Sequence, residues 1–229
     1  IMSNSELLNP FNPPLPTTPG MRLLWGGLHE AASSLAIANA ALNYQGLSLV
    51  IAPDVHTATR LERELRFFLA ASDLEVLQFP DWETLAYDTF SPLPELVSQR
   101  LLTLYRLAAI QHGVLIVAVA TLLQRLLPKK YLYSNTLQLK VGEIINPLAL
   151  YSRLEQAGYR KVFQVLTHGE YAVRGSLIDL FPMGSAEPLR IDLLDDQIDS
   201  MRIFDTETQK SLKRVAVCTS GAITKLKPW

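Results

Sequence analysis

The sequence predicts an α/β fold in two parts: a parallel, P-loop-like sheet domain with a degenerate nucleotide site, then a smaller α+β domain with an antiparallel sheet. Three observations carry this. Apolar runs alternate with helix-like segments from about residue 21 to 127, the order that builds parallel sheets. After Pro128 the rhythm changes to one helix and consecutive strand-like runs joined by short links, which suits an antiparallel sheet. The first strand-to-helix turn has the glycines of a phosphate loop but no lysine,.

The elements follow in order. Five prolines between Pro10 and Pro19 make residues 1–20 an extended arm,. RLLW (22–25) is expected as a short strand, and the alanine- and leucine-rich stretch 29–43 as a helix,. LSLVIAP (47–53) is a continuous apolar run, as a parallel strand covered on both faces requires,. Asp54 is placed to cap the helix through RLERELRFFLAA,. LEVLQF (74–79) is a third strand, 80–94 a long loop, 95–111 an amphipathic helix and GVLIVAV (113–119) a fourth strand,. The domain 21–128 is therefore expected to be doubly wound, with a boundary near 127–131.

The second domain is expected over 129–211. LQLKVGE (137–143) is an edge or hairpin strand, and Asn146-Pro147 caps a helix that stops at Gly158,. Strand-like runs follow at 160–166, 170–182, 188–194 and 198–204, with a turn at Asp195-Asp196-Gln197,. The alternation weakens around Gly175, where a bulge is expected,. The tail 212–229 does not complete a domain by itself.

Bulk properties exclude several classes. Of 229 residues 48% are hydrophobic and 19% charged, enough apolar material for a packed core,. Net charge is −1, without the basic surplus of a protein that grips DNA non-specifically,. One cysteine, Cys218, rules out an internal disulfide framework and any multi-cysteine zinc site; it reads as a half-buried strand residue, and the composition suits a reducing cytoplasm,. The N-terminal stretch has no basic, apolar signal-peptide pattern, and the longest apolar run, 114–123, is too short to span a bilayer,.

The loop opening at Gly26 tests the nucleotide reading. A P-loop needs glycines to bring backbone N–H groups to phosphate, lysine to neutralise charge, and a hydroxyl for Mg²⁺. Framed from Gly26, the last three places hold Ala31, Ala32 and Ser33; framed from Gly27, they hold Ala32, Ser33 and Ser34. A helix N-terminus alone offers about 0.3–1 kcal/mol to an exposed anion, and Glu30 adds repulsion. No cofactor is expected at Gly26, Gly27, Ala32, Ser33 or Ser34.

Other clusters carry less. Asp81, Glu83 and Asp88 flank Trp82 in the long loop without an accompanying lysine or histidine; a solvated loop pinned by Trp82, Leu85, Tyr87 and Phe90 is the expectation. His168-Gly169-Glu170 reads as the entry to a turn, since two ligands do not make a metal site,. Neither Ser33 nor Ser34 sits in an elbow motif, and RLERELR (60–66) is a solvated helix face,. No catalytic residue and no metal site are expected.

Period two along 188–194 puts Leu189, Ile191 and Leu193 on one face and Arg190, Asp192 and Leu194 on the other,. The first set is a core face. The second is either a solvated sheet face or an interface, for arginine beside an apolar neighbour is a common docking pair. The pattern does not fix whether Arg174 shares that face.

Four blocks in order, FPDWETLAYDTFSP (79–92), GVLIVAVATLLQRLLP (113–128), HGEYAVRGSLIDLFPMGS (168–185) and RIDLLDDQIDSMRIFD (190–205), resemble the N-terminal region of the bacterial transcription-repair coupling factors, the Mfd family, and more distantly UvrB. The match runs from about Arg22 to Leu212. The resemblance implies that 21–128 is similar to the first motor-like domain of UvrB with its ATP site lost, and that 129–211 is similar to the module that binds UvrA. It implies that 212–229 begins the segment where the first domain resumes. In that family UvrA is gripped by an arginine in the E-Y-A-x-R-G block, an arginine opening the R-[IL]-D block and an aromatic four residues on. Those positions are Arg174, Arg190 and Leu194, with leucine replacing the aromatic.

The function expected is therefore a non-catalytic recruitment module of bacterial, cytoplasmic transcription-coupled repair, with UvrA as partner and the translocase and polymerase-binding modules elsewhere in a longer chain. The rivals are an ATP-dependent helicase-like lobe and a UvrB-like binder of damaged DNA. The 80–94 loop is too short for the UvrB hairpin that clamps DNA.

Overall fold

The structure is a computed structural model that describes residues 8–83, 92–134 and 136–222. In chain order the elements are α1 (Ala31–Asn43), β1 (Leu47–Ala52), α2 (Val55–Phe68), β2 (Glu75–Phe79), α3 (Pro94–Leu107), β3 (Gly113–Ala118), α4 (Val119–Leu122), α5 (Lys129–Ser134) and β4 (Thr136–Lys140). Then come α6 (Pro147–Gln156), β5 (Arg160–Lys161), β6 (Glu170–Arg174), β7 (Leu177–Phe181), β8 (Leu189–Leu194), β9 (Gln197–Phe204), β10 (Ser211–Val215) and β11 (Val217–Ala222). They form two compact units, one of residues up to 81 with 109–124, the other of 82–108 with 125 onward.

In the first unit three parallel strands lie in the order β1-β3-β2. Val50, Ala52, Val76, Val114 and Ile116 pack against Leu61 and Leu65 of α2, with Ala38 and Ala41 of α1 in the same core. Asp54 caps α2 as expected, its carboxylate accepting the Thr57 N–H at 2.7 Å. Two expectations fail. RLLW is not a strand: Leu24 is almost fully exposed, and Trp25 donates its indole N–H to the Pro14 carbonyl at 3.2 Å. Nor is β1 covered on both faces, since Leu49 and Ile51 are half exposed. Helix α3 groups with the second unit, where Val97 and Leu101 join its core.

The second unit is built on a six-stranded sheet, β10-β9-β8-β7-β6-β5, antiparallel except where β5 meets β6. One face packs Tyr171, Ile178, Leu180, Ile191, Ile198 and Met201 into a core shared with Leu150 and Leu154 of α6. Asn146 caps α6 by accepting the Ala149 N–H at 3.0 Å, and Pro147 takes the first helical position. The expected bulge at Gly175 is instead a two-residue turn. Arg174 pairs with Leu177 across it, and Gly175 adopts a φ of 62° that favours glycine,. Of the strand expected over 160–166 only Arg160–Lys161 forms.

Residues 211–222 also depart from expectation. Ser211–Val215 extends the six-stranded sheet beyond β9, and β11 pairs with β4 in a two-stranded sheet. The strand expected to begin the first domain's return thus pairs within the second unit. No helix among the described residues is long and apolar enough to cross a membrane.

Candidate functional site

The face of the six-stranded sheet turned away from the core is set by alternation. Core residues 178 and 180, 189 and 191, and 198 and 201 leave Leu177 and Asp179, Arg190 and Asp192, Ser200 and Arg202 on the other side,. The register stacks these into rows. Ala172, Asp179, Arg190, Arg202 and Arg214 pair in succession across five strands; Arg174, Leu177, Asp192 and Ser200 form the next row. Arg174 therefore does share the face of Arg190, and Leu194 stands at its hairpin end. At the other end Phe181 and Phe204 close over Val165 and Ala172.

A buried carboxylate organises this face. Asp179 is 1% exposed and accepts from Arg190 Nε at 2.7 Å and Nη2 at 2.9 Å. Its Oδ2 also pairs with Arg174. The two-pronged Arg190 contact is the planar fork-to-carboxylate match that only arginine offers. Arg190 Nη1 donates to the Gln209 carbonyl at 3.0 Å, and the guanidinium lies over the Phe204 ring at 4.8 Å. The bond to Asp179 raises the Arg190 pKa, against the smaller opposing effect of burial.

The three predicted residues therefore differ in availability. Leu194 is 66% exposed and the Arg174 side chain 42%, but the Arg190 side chain only 13%. The expectation that Arg190 stands open on the sheet surface is corrected: its polar edge is committed to Asp179 and Gln209. Asp179 itself was missed. Its signal was present in LIDLF, where an acid sits between two apolar residues of the same face.

The first turn of α1 has its hydroxyls engaged. Ser33 Oγ donates to the Glu30 carbonyl at 2.7 Å, and the fully buried Ser34 donates to Glu64 Oε2. Arg60 Nη1 bridges both Glu64 oxygens at 3.0 and 2.9 Å. Burial pushes Glu64 up, but the bonds from Ser34 and Arg60 outweigh it and hold the carboxyl below its ordinary range.

The remaining clusters are structural. Asp81 accepts from Thr121 at 2.9 Å and Gln124 at 2.7 Å. Trp82 lies over the buried Arg100 guanidinium at 4.0 Å, while Leu85, Tyr87, Asp88 and Phe90 lie outside the described residues. Glu170 accepts the N–H groups of Leu166 and Thr167, both at 3.0 Å, and pairs with Arg160 at 2.8 Å. The His168 ring packs at a tilt against Phe181, with centroids 3.8 Å apart, and meets the Ser185 carbonyl at 3.0 Å. Cys218 lies in β11 opposite Leu139. Among the described residues no three His, Cys, Asp or Glu side chains gather as a metal site.

Residues 137–221, from β4 to β11, match the family described as UvrB interaction domain. Most of the sequence, about nine tenths, is similar to transcription-repair-coupling factors. It is 47% identical over 208 residues to that of Haemophilus influenzae, covering 90% of this chain and 18% of the relative. It is 47% identical over 201 residues to that of Escherichia coli (88% and 17%), and 35% over 189 residues to that of Staphylococcus aureus strain USA300 (82% and 16%). The chain thus spans less than a fifth of the length of these relatives.

Proposed function

We propose that the chain is a non-catalytic docking module of transcription-coupled repair, and that the outer face of the six-stranded sheet binds UvrA. The observation that carries the reading is the placement of Arg174 and Leu194, both exposed, on one face with the braced Arg190, inside the span matched as a UvrB interaction domain. Arg174, half exposed beside its pairing with Asp179, supplies a charged fork, Leu194 an apolar anchor, and Arg190 braces β8 against β7. Docking here would bring excision repair to a stalled RNA polymerase through the longer chain that these relatives represent.

The first unit is read as a scaffold that binds no nucleotide. Support comes from the missing lysine and from Ser33 and Ser34, whose hydroxyls are spent on Glu30 and Glu64.

The test is a titration of this chain with purified UvrA. Arg174→Ala and Leu194→Ser should each weaken binding about tenfold, the loss of a modest interface contact. Unchanged affinity in both would remove the site assignment.

A further inference from the structure

Two features of the same sheet lie beyond the three residues above, and both sit at β9 or past it. The first is apolar. Ile144 forms an antiparallel bridge with Gln197, and Gln197 pairs with Leu194. Residues directly opposite one another share a face, so Ile144, Gln197 and Leu194 make one row on the outer face. Ile145 faces the other way and packs against the core. Ile144 is 77% exposed, more than Leu194. Two strand spacings separate them, about 10 Å. The residue between does not stand up in the gap, because Gln197 Nε2 donates to the Gly142 carbonyl at 2.9 Å.

The second is charged. Arg202 lies between Arg190 and Arg214 in the arginine row. Its Nε is buried and meets no acceptor among the described residues, and its Nη2 has only a long contact to Ser200 Oγ at 3.4 Å. The one carboxylate of that row, Asp179, is taken by Arg190 and Arg174. Within these rows four arginines face Asp179 and Asp192, so the rows carry net positive charge, while the exposed Asp195, Asp196 and Asp199 lie in the hairpin turn beside Leu194 and at the start of β9. Arg202 is partly exposed, and a carboxylate arriving from outside can meet only the guanidinium nitrogens that are not buried, not its Nε,.

We propose that the docking face extends across β9. Arg202 takes a carboxylate of the partner, and Ile144 together with Leu194 flanks a shallow apolar seat for one of its side chains. The occupant is an acidic protein surface that presents an apolar side chain beside its carboxylates. This inference rests on the reading of the sheet as the UvrA-binding face, and it adds two contacts and a partner chemistry to it.

The experiment is a titration of the chain with UvrA at low and moderate salt, comparing wild type, Ile144→Ser, Arg202→Gln, Arg202→Lys, Leu194→Ser and Ile144→Ser/Leu194→Ser. Urea unfolding of each variant checks that it folds. Ile144→Ser should weaken binding about fivefold to tenfold, and the double variant should lose less than the product of the singles, as residues sharing one partner group do. Arg202→Gln should weaken binding about tenfold at low salt and flatten its salt dependence. Arg202→Lys, which keeps the charge without the fork, should recover part of the affinity. If Leu194→Ser weakens binding while Ile144→Ser and Arg202→Gln both stay within twofold of wild type, the extension is wrong and the docking face stands. If wild type fails to bind UvrA, or no variant differs from it, both fall. Should Arg202→Gln unfold, the Ile144 variants, exposed and outside the core, still decide.

Discussion

Arg190 and Arg174 hold the same carboxylate, yet their removal has different consequences. Asp179 is almost completely buried and receives two donors from Arg190 but one from Arg174. Arg190→Ala leaves a buried charge short of its main partner, a change that costs about 3–5 kcal/mol. The half-exposed Arg174 is screened by water, and Arg174→Ala should cost about 1 kcal/mol or less,. Urea unfolding should show the midpoint of Arg190→Ala falling well below that of Arg174→Ala with similar slopes; equal midpoints would mean Asp179 does not depend on its brace. An affinity loss in Arg190→Ala therefore reports lost strand order as well as lost contact, and Arg174→Ala is the cleaner probe of docking. A second single-residue effect belongs to His168. Burial pushes its imidazole below the ordinary value of 6.5, while the Ser185 carbonyl and the charge of Glu95 pull weakly upward. The folded state thus favours the neutral ring. Its contribution is fully present above pH 6.5 and declines as pH falls below it, because the unfolded chain binds a proton that the folded one resists. Stability measured between pH 7.5 and 5.5 should fall less steeply in His168→Gln than in wild type, and parallel profiles would exclude the imidazole as the source.

Helix α3 shows how one side chain joins an element to the sheet. Ser98 is buried and its hydroxyl accepts the Gly184 N–H at 2.9 Å, in the turn that follows β7. Ser98→Ala leaves that amide without its acceptor, at a cost of about 1–3 kcal/mol. Hydrogen exchange should then accelerate at Gly184 and its neighbours more than at β3; a uniform change would place the effect elsewhere. This same helix marks the limit of what the sequence discloses. Its amphipathic pattern and its place in the chain were legible, as were the caps Asp54 and Asn146 and the alternation of β8, because each depends on residues a few positions apart. The unit to which α3 belongs depends on contacts with residues far along the chain, such as Leu132 and Leu154. RLLW failed for a related reason: four residues are too few for periodicity to separate a strand from an extended link,. At the candidate site the family resemblance supplied Arg174, Arg190 and Leu194 as expectations, but nothing in the sequence disclosed their unequal exposure. That inequality arises from the register between β7 and β8, which sets Asp179 directly opposite Arg190.

At the scale of the molecule, the decisive question is whether the first unit retains any of the chemistry that its sheet order suggests. A parallel sheet followed by helices supplies a place for a triphosphate only if the first turn also supplies a cation and a free hydroxyl. Here α1 opens without lysine, Glu30 sits at its cap with a φ of 46°, and the buried Ser34 is locked to Glu64 on α2. Seating a nucleotide would require breaking that bond and placing phosphate beside two carboxylates, Glu30 and Glu64. Thermal unfolding with MgATP measures the outcome without assuming a site. A one-site ligand present at about 100 times its Kd stabilises the folded state by about 2.7 kcal/mol, and the gain grows with the logarithm of concentration. The expected result is a melting temperature independent of MgATP into the millimolar range, with MgADP and Mg²⁺ alone as controls. A shift that rises with ATP and weakens in Ser34→Ala, or strengthens in Glu64→Gln, would return the first unit to the nucleotide-binding class. A shift unaffected by either variant would point to phosphate binding elsewhere on the chain, for which the arginine row of the second unit is the natural place to look, and competition between ATP and UvrA would then separate the two.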